Sequence, residues 1–352
     1  MKSPAPARMA AFQVLRQVLN GGYASDLLRA CSFGDPRDAA LAEAIVFGCL
    51  RRQNQLDYRI EQLSGRKIAS LDSEVRIALQ MGLFQLQHMD RVPAHAVLDD
   101  SVELVKRARK RSAAGLVNAV LRKAQGAAFK DWPDEARELA MPSWLLQRWQ
   151  NHFGAQQARA MAFAALEEPV AAINPVTGRQ QDIGAQSIVA FLEVQPGMRV
   201  LDLCAAPGNK TAQILAVTAN VVAGDRYLRR LADVPSEAQR IVLDATKPLP
   251  VGAVFDRILV DAPCSGTGTL GRNPEIKWRL KPGNLQEFQR TQKAILQNAL
   301  NCLTPHGRIV YSTCSLEKEE NQDVVEEFGL REWHYRLPGK GPGDGFFAAV
   351  IK

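Results

Sequence analysis

From residue 7 to about residue 125, apolar side chains recur at three- and four-residue spacing. ARMAAFQVLRQVL (7–19), ALAEAIVFGCLRRQNQLDYRI (40–60), SEVRIALQMGLFQLQHM (73–89), VLDDSVELVKRARK (97–110) and GLVNAVLRKAQ (115–125) each carry this spacing, which predicts amphipathic helices. Gly21-Gly22, Ser64-Gly65, Pro93 and Gly115 punctuate them. The stretch from 127 to about 168 stays helical and holds three of the five tryptophans, and 167–180 reads as an extended connection. After Asp182 the pattern changes. Short apolar runs appear at 198–203, 219–225, 240–246, 255–263, 307–315, 331–337 and 345–352, most of them separated by helical segments. That alternation predicts a parallel α/β sheet. The expected organisation is an all-α bundle at 1–126, a helical linker at 127–180 and an α/β domain at 181–352.

Composition narrows the class. Apolar residues make up 46% and charged residues 23% of 352 positions, ordinary values for a globular protein. No apolar run approaches the length of a membrane span, and the first residues lack an export signal, so the chain is read as cytoplasmic and monomeric, with no membrane partner. Six cysteines, at 31, 49, 204, 264, 302 and 314, show no zinc spacing; no metal is expected and the thiols are read as free. Charge is uneven. Residues 1–130 carry 20 Lys and Arg against 12 Asp and Glu, a net +8, whereas the remaining 222 residues are at −1. A basic domain beside a near-neutral one suits a polyanion, RNA or DNA, held by one part and worked on by the other. The densest run is Lys106, Arg107, Arg109, Lys110 and Arg111, the expected nucleic-acid contacts.

Candidate chemistry gathers in the α/β half. VLDLCAAPGNKT (200–211) is an acidic strand end, a tight turn and a helix start, a nucleotide-type corner. It lacks both GxGxxG and GxxxxGK[ST], so a ligand without phosphates fits it better. Asp202, Asp225, Asp244 and Asp261 are each read as ending a consecutive strand, a row of carboxylates along the ligand edge. Ribose hydroxyls, an adenine amino group and a cationic sulfonium all suit carboxylates, and S-adenosylmethionine supplies all three. DAPCSGTG (261–268) and STCS (312–315) place Cys264 and Cys314 past two strands on that edge. Carbon-5 of a pyrimidine attacks a methyl group poorly until a thiolate adds to carbon-6, which is covalent catalysis. Asp261 is placed to serve ring nitrogen-3, Lys210 to hold a thiolate, and a second thiol to assist release. The residues alone do not rank the two sulfurs. A buried small-hydrophobe role is assigned to Cys31, Cys49 and Cys302, and packing or capping to His88 and His95.

DLCAAPGNKT, DAPCSGTG and STCS in this order, with QDIGAQ (181–186) upstream and DGFFAA (344–349) near the end, resemble the NOL1/NOP2/Sun family of RNA cytosine-5 methyltransferases. LNGGYASDLL, VFGCLRRQNQLDYRI, DRVPAHAVLDDSVELVKR and GLVNAVLRK resemble the NusB-like RNA-binding domain. The resemblance implies a NusB-like bundle followed by a Rossmann-like class I methyltransferase domain, acting on RNA and, from this pairing, on small-subunit ribosomal RNA. It makes Cys314 the nucleophile and Cys264 the release cysteine. It places S-adenosylmethionine on Cys204, Ala205, Ala206, Pro207, Gly208, Asn209 and Lys210 with Asp225 and Asp244, and Asp261 between cofactor and base. The chain departs from the family between 126 and 181, where an extra RNA-recognition-like segment is expected, and after Asp225. Transfer RNA or another ribosomal site as target, and a silent methyltransferase domain on an RNA-binding assembly factor, are the alternatives.

Overall fold

The structure is a computed structural model and describes residues 3–127 and 131–352; residues 128–130 of the linker lie outside it. The chain divides into two compact units. The first comprises the described residues up to Leu166 together with Asn273–Trp278, and the second Glu167–Arg272 with Arg279–Lys352.

The first unit is helical. Its main helices are Pro6–Leu19, Pro36–Arg51, Gln53–Ser64, Ser73–His88, Ala94–Arg107 and Ala114–Gln125, followed by Ser143–Phe153 and Ala155–Ala164. The apolar spacing of the sequence is the core: Phe12, Ile45, Leu56, Leu79, Leu83, Leu104 and Leu121 are all buried in one cluster. Ser73–His88 runs through its middle and buries ten residues. Helices approach closely where glycine allows it, since a Cβ on Gly82 would lie 2.6 Å from Leu121. Segment 273–278 covers bare helix ends in this unit. Lys277 Nζ donates to Arg51 O at 2.8 Å, Trp278 Nε1 to Leu50 O at 2.6 Å, and Glu275 Oε1 accepts from Ala24 N at 3.0 Å. His88 lies against Phe84, and burial next to Arg52 brings its pKa down to about 4, so it packs as a neutral ring.

The second unit is a seven-stranded sheet: β1 (Val200–Asp202), β2 (Val221–Asp225), β3 (Gln239–Val242), β4 (Phe255–Asp261), β5 (Leu303–Thr313), β6 (Leu330–Arg336) and β7 (Phe346–Ile351). The order is β3-β2-β1-β4-β5-β7-β6. The first five strands are parallel. The all-parallel expectation is corrected at the far edge, where β7 inserts between β5 and β6 and runs antiparallel to both. Residues 337–345 link β6 to β7 without a helix, and only an antiparallel pair can be joined that way. Alternate residues feed opposite faces. Ile258, Val260, Ile309 and Tyr311 pack with Ile295 and Leu296 of the helix Pro282–Leu300, while Leu259 and Val310 pack with Ile188, Leu192 and Ile214 on the other side.

One reading of the strand ends changes. Asp202, Asp225 and Asp261 terminate β1, β2 and β4, but β3 is an exposed edge strand that stops at Val242. Asp244 lies two residues beyond it, heading a turn in which its Oδ1 accepts from Thr246 N at 3.0 Å and Thr246 Oγ1 at 2.6 Å.

Candidate active site

The parallel strands deliver their carboxyl ends to one edge, and the loops leaving β1, β4 and β5 carry the candidate residues. The β1 loop turns at Gly208, whose φ of +92° suits glycine, and a Cβ there would meet Val234 at 2.7 Å. Ala205 N donates to Gly224 O and Gly208 N to Ala205 O, at 2.9 and 2.7 Å. A cis peptide joins Ala206 and Pro207. Arg179, which the sequence did not single out, holds the loop from outside. Its guanidinium donates to Asn209 Oδ1 at 2.8 Å, Pro207 O at 3.1 Å and Asp233 O at 3.2 Å.

Lys210 follows, and its Nζ reaches Asp261 Oδ2 at 2.6 Å. Ser312, buried in β5, donates to the other oxygen, Oδ1, at 2.7 Å. Burial works against a charge on Lys210, but Asp261, helped by Asp202 and Cys314, outweighs it and holds the ammonium's pKa above its usual value. Asp202 is different. It is buried, accepts from Thr211 Oγ1 at 2.8 Å, and burial lifts its pKa to about 7. Its second oxygen, Oδ1, has no hydrogen-bond partner. Asp225 Oδ1 accepts from Tyr227 N at 3.0 Å, and its Oδ2 lies 3.5 Å from Arg230. Burial, then the charges of Asp202, Asp261 and Asp225, raise the Cys204 thiol, which marks it as a neutral lining group. Asp202, Asp225, Asp261, Cys204 and Lys210 thus share one electrostatic neighbourhood. Asp244 stands with Thr246 and Arg226 instead.

The two Cys-Ser pairs meet. Cys264 Sγ and Cys314 Sγ are 3.2 Å apart, and Ser265 Oγ and Ser315 Oγ 3.1 Å apart. Below the serines lies Glu320, buried and equally unmarked by the sequence. Glu320 Oε1 accepts from Ser265 N at 2.7 Å and Gln292 Nε2 at 3.1 Å. Glu320 Oε2 accepts from Ser315 Oγ at 2.5 Å and from Ser265 Oγ. The hydrogen bond to Cys314, burial and the negative charge of Glu320 push the Cys264 thiol well up, so Cys264 keeps its proton. Lys210, in turn, feels the charge of Cys314. Gly268 N donates to Cys314 O at 2.8 Å while Gly268 O accepts from Gly345 N at 2.8 Å. A Cβ on Gly268 would fall 2.3 Å from Gly345 O, which is why the motif needs glycine there. Asp182 Oδ2 accepts from Asp344 N at 3.0 Å, and Arg272 bridges both carboxylates, so the QD and DGFF stretches are tied to the same corner.

The five basic residues belong to the first unit. Lys106 pairs with Glu103 at 2.6 Å and Lys110 with Asp72 at 3.0 Å, while Arg107, Arg109 and Arg111 are exposed.

Comparison with known proteins gives the family. A family profile described as 16S rRNA methyltransferase RsmB/F matches residues 189–338, and the NusB family profile matches 5–126. A relative from Erwinia tasmaniensis named "Ribosomal RNA small subunit methyltransferase B" is 31% identical, with 100% of this chain and 99% of the relative covered. The chain belongs to the RsmB/F methyltransferase family. A solved structure described as PH0851 covers 100% of both chains with a TM-score of 0.79 at 19% identity. A methyltransferase homolog protein from Pyrococcus horikoshii covers 61% of this chain and 96% of its own with a TM-score of 0.51 at 22% identity. At these identities the likeness is one of fold. The alignment with the Erwinia RsmB/F relative runs over 429 positions against 352 residues here, so that relative carries several tens of residues without a counterpart in this chain.

Proposed function

We propose that this protein transfers a methyl group from S-adenosylmethionine to carbon-5 of a cytosine in small-subunit ribosomal RNA, through a covalent bond between Cys314 and the base. The observation that carries the reading is the pair of thiols 3.2 Å apart in the corner that also holds the Lys210–Asp261 ion pair. The name of the curated relatives supplies the RNA class, and a cytoplasmic location follows from that substrate.

The β1 corner fits the cofactor. The unpartnered oxygen of buried Asp202 leaves an acceptor for a ligand's hydrogen-bond donor, and the loop 204–210 offers one close glycine approach at Gly208 rather than a phosphate cradle. When bound, S-adenosylmethionine supplies the methyl that carbon-5 takes up. The chain's own groups do the rest. Cys314, on the Lys210 side of the pair, forms the sulfur–carbon-6 bond as a thiolate. The proton shared in the Lys210–Asp261 pair passes through Asp261 to ring nitrogen-3 as the thiolate adds, which keeps negative charge from building on the ring. Once carbon-5 has lost its proton to water, the carbon-6–sulfur bond breaks, carbon-5–carbon-6 unsaturation returns, and the nitrogen-3 proton goes back to the Lys210–Asp261 pair. Cys264, holding its proton, hydrogen-bonds the departing sulfur. A buried corner of this kind reads a base that is single-stranded or flipped out of its stack.

Covalent trapping tests the reading. Wild type, Cys264→Ala and Cys314→Ala are incubated with S-adenosylmethionine and 16S ribosomal RNA and run on a denaturing gel. Cys264→Ala is expected to accumulate an RNA-linked band and Cys314→Ala none; the reverse pattern makes Cys264 the nucleophile, and no band in any variant sinks the covalent route. For RNA binding we assign the grip to exposed Arg107, Arg109 and Arg111, with Lys106 and Lys110 beside them. Replacing the three arginines by alanine should flatten the salt dependence of binding, by about two units of slope on single-stranded RNA. An unchanged slope rejects this face.

A further inference from the structure

The repeated Cys-Ser pairs raise a question that covalent chemistry leaves open. The mechanism uses both sulfurs, yet neither serine touches the proposed reacting atoms. Each serine is buried and directed instead at Glu320. The two cysteines leave different strands, β4 and β5, and sit 50 residues apart in the chain. Strand pairing fixes the backbone only as far as Asp261 and Ser312. Past those residues the ladder gives way to isolated bonds, Ala262 N to Ser312 O at 2.9 Å and Gly268 N to Cys314 O at 2.8 Å, and side chains add to what sets the separation of the thiols.

We propose that Glu320 is a positioning residue: by binding Ser265 and Ser315 with one buried carboxylate, it holds Cys264 and Cys314 at bridging distance. The proposal rests on the reading of this corner as a two-thiol catalytic site. The carboxylate takes four hydrogen bonds, from Ser265 N, Ser265 Oγ, Ser315 Oγ and Gln292 Nε2. It is itself fixed from three sides. Tyr311 OH donates to Glu320 O at 2.6 Å. Asn321, the next residue, accepts from Thr313 Oγ1 at 2.6 Å and donates to Ser315 O at 2.9 Å. Gln292 also donates to Pro263 O, one residue before Cys264, at 3.0 Å. Each catalytic loop is therefore gripped on either side of its cysteine, and Glu320 binds both loops, beside the direct bonds between them from Gly268 N to Cys314 O and from Leu316 N to Thr267 Oγ1. A buried carboxylate is costly unless its lone pairs are filled, and here they are filled by the two loops. Burial raises the pKa of Glu320, and the serine and backbone donors pull it back down. The same charge adds to the hydrogen bond with Cys314 and to burial in raising the Cys264 thiol.

A trivalent arsenical measures the spacing without RNA or cofactor. Phenylarsine oxide condenses with two thiols, forming two arsenic–sulfur bonds and releasing one water, with no change of oxidation state. It binds tightly only where both sulfurs already stand at bridging distance, because pre-organisation saves the cost of ordering them. The wild-type protein should form the bridge between Cys264 and Cys314, identified by mass spectrometry of the linked peptides. Glu320→Ala should weaken it by about tenfold or more, Glu320→Gln by less, because the amide still accepts from Ser265 N, and Ser315→Ala by several-fold. Thermal melting separates an unfolded variant from a folded one with slack thiols; should Glu320→Ala fail to fold, Glu320→Gln and Ser315→Ala decide. Folded variants that bind the arsenical as tightly as wild type overturn the proposal. Weakened arsenical binding in the variants, with no RNA adduct from Cys264→Ala, upholds the clamp and brings down the methyltransfer reading instead.

Discussion

The corners after β4 and β5 begin with the same two residues, Cys264-Ser265 and Cys314-Ser315, and occupy opposite electrical settings. The first lies over the buried carboxylate of Glu320, which favours a protonated thiol. The second lies toward the ammonium of Lys210, which Asp261 holds in its charged form. Identical local sequence thus meets different neighbours: Lys210, 54 positions upstream of Cys264, and Glu320, six positions downstream of Cys314. A cysteine's chemistry belongs to the charges around it, not to its motif.

The sharpest way to break this comparison is to remove each sulfur and read the first turnover separately from later ones. Cys314→Ala should lose methyl transfer even in a single turnover, by on the order of 10³-fold or more, since it removes the bond-forming atom. Cys264→Ala should retain much of the first turnover and lose the later ones as adduct accumulates. Equal losses in both phases for both variants would mean that the sulfurs share one role. A charge change comes next. Lys210→Met keeps the stem and deletes the ammonium. Its partner Asp261, with 29% of its side chain exposed, can recruit water, so the fold should survive. Methyl transfer should fall by roughly 10²-fold, the loss typical of one pre-organised electrostatic donor. An effect below threefold would detach Lys210 from the chemistry.

Much of this was legible in the chain, and the parts that were not share a cause. Short, near-continuous apolar runs marked all seven strands, because a buried strand must feed both faces of the sheet. Insertion of β7 between β5 and β6 was hidden, since local pattern carries no strand order. Lys210, Asp261, Cys264 and Cys314 could be picked out because each follows a strand end within a short motif, and strand ends gather at one edge. Asp244 misled for the same reason: its run RIVLD looks like the others, but β3 is a solvent-exposed edge strand and ends early. Glu320 was invisible. It sits in SLEKEENQD, which reads as a solvated acidic stretch, and only the fold turns its carboxylates Glu317 and Glu320 inward. Arg179 was hidden likewise, its guanidinium being useful only to a loop about thirty residues away.

The smallest expected effect probes the Cys314 side of the comparison from beneath. Ser312 is buried in β5 two residues before Cys314, and its hydroxyl donates to Asp261 Oδ1 while Lys210 holds Oδ2. Both oxygens are therefore engaged, and the carboxylate has one orientation. Ser312→Ala removes a hydrogen bond to a charged group, a contribution of about 1.5–3 kcal/mol when no water replaces it. Asp261 is exposed enough for water to recover part of that, so methyl transfer should fall by about tenfold. The loss should appear in single-turnover transfer rather than in the release of RNA, because the Ser312 hydroxyl orients Asp261. A Ser312→Ala protein that transfers normally but releases slowly would place Asp261 with the release sulfur and dissolve the contrast between the two corners.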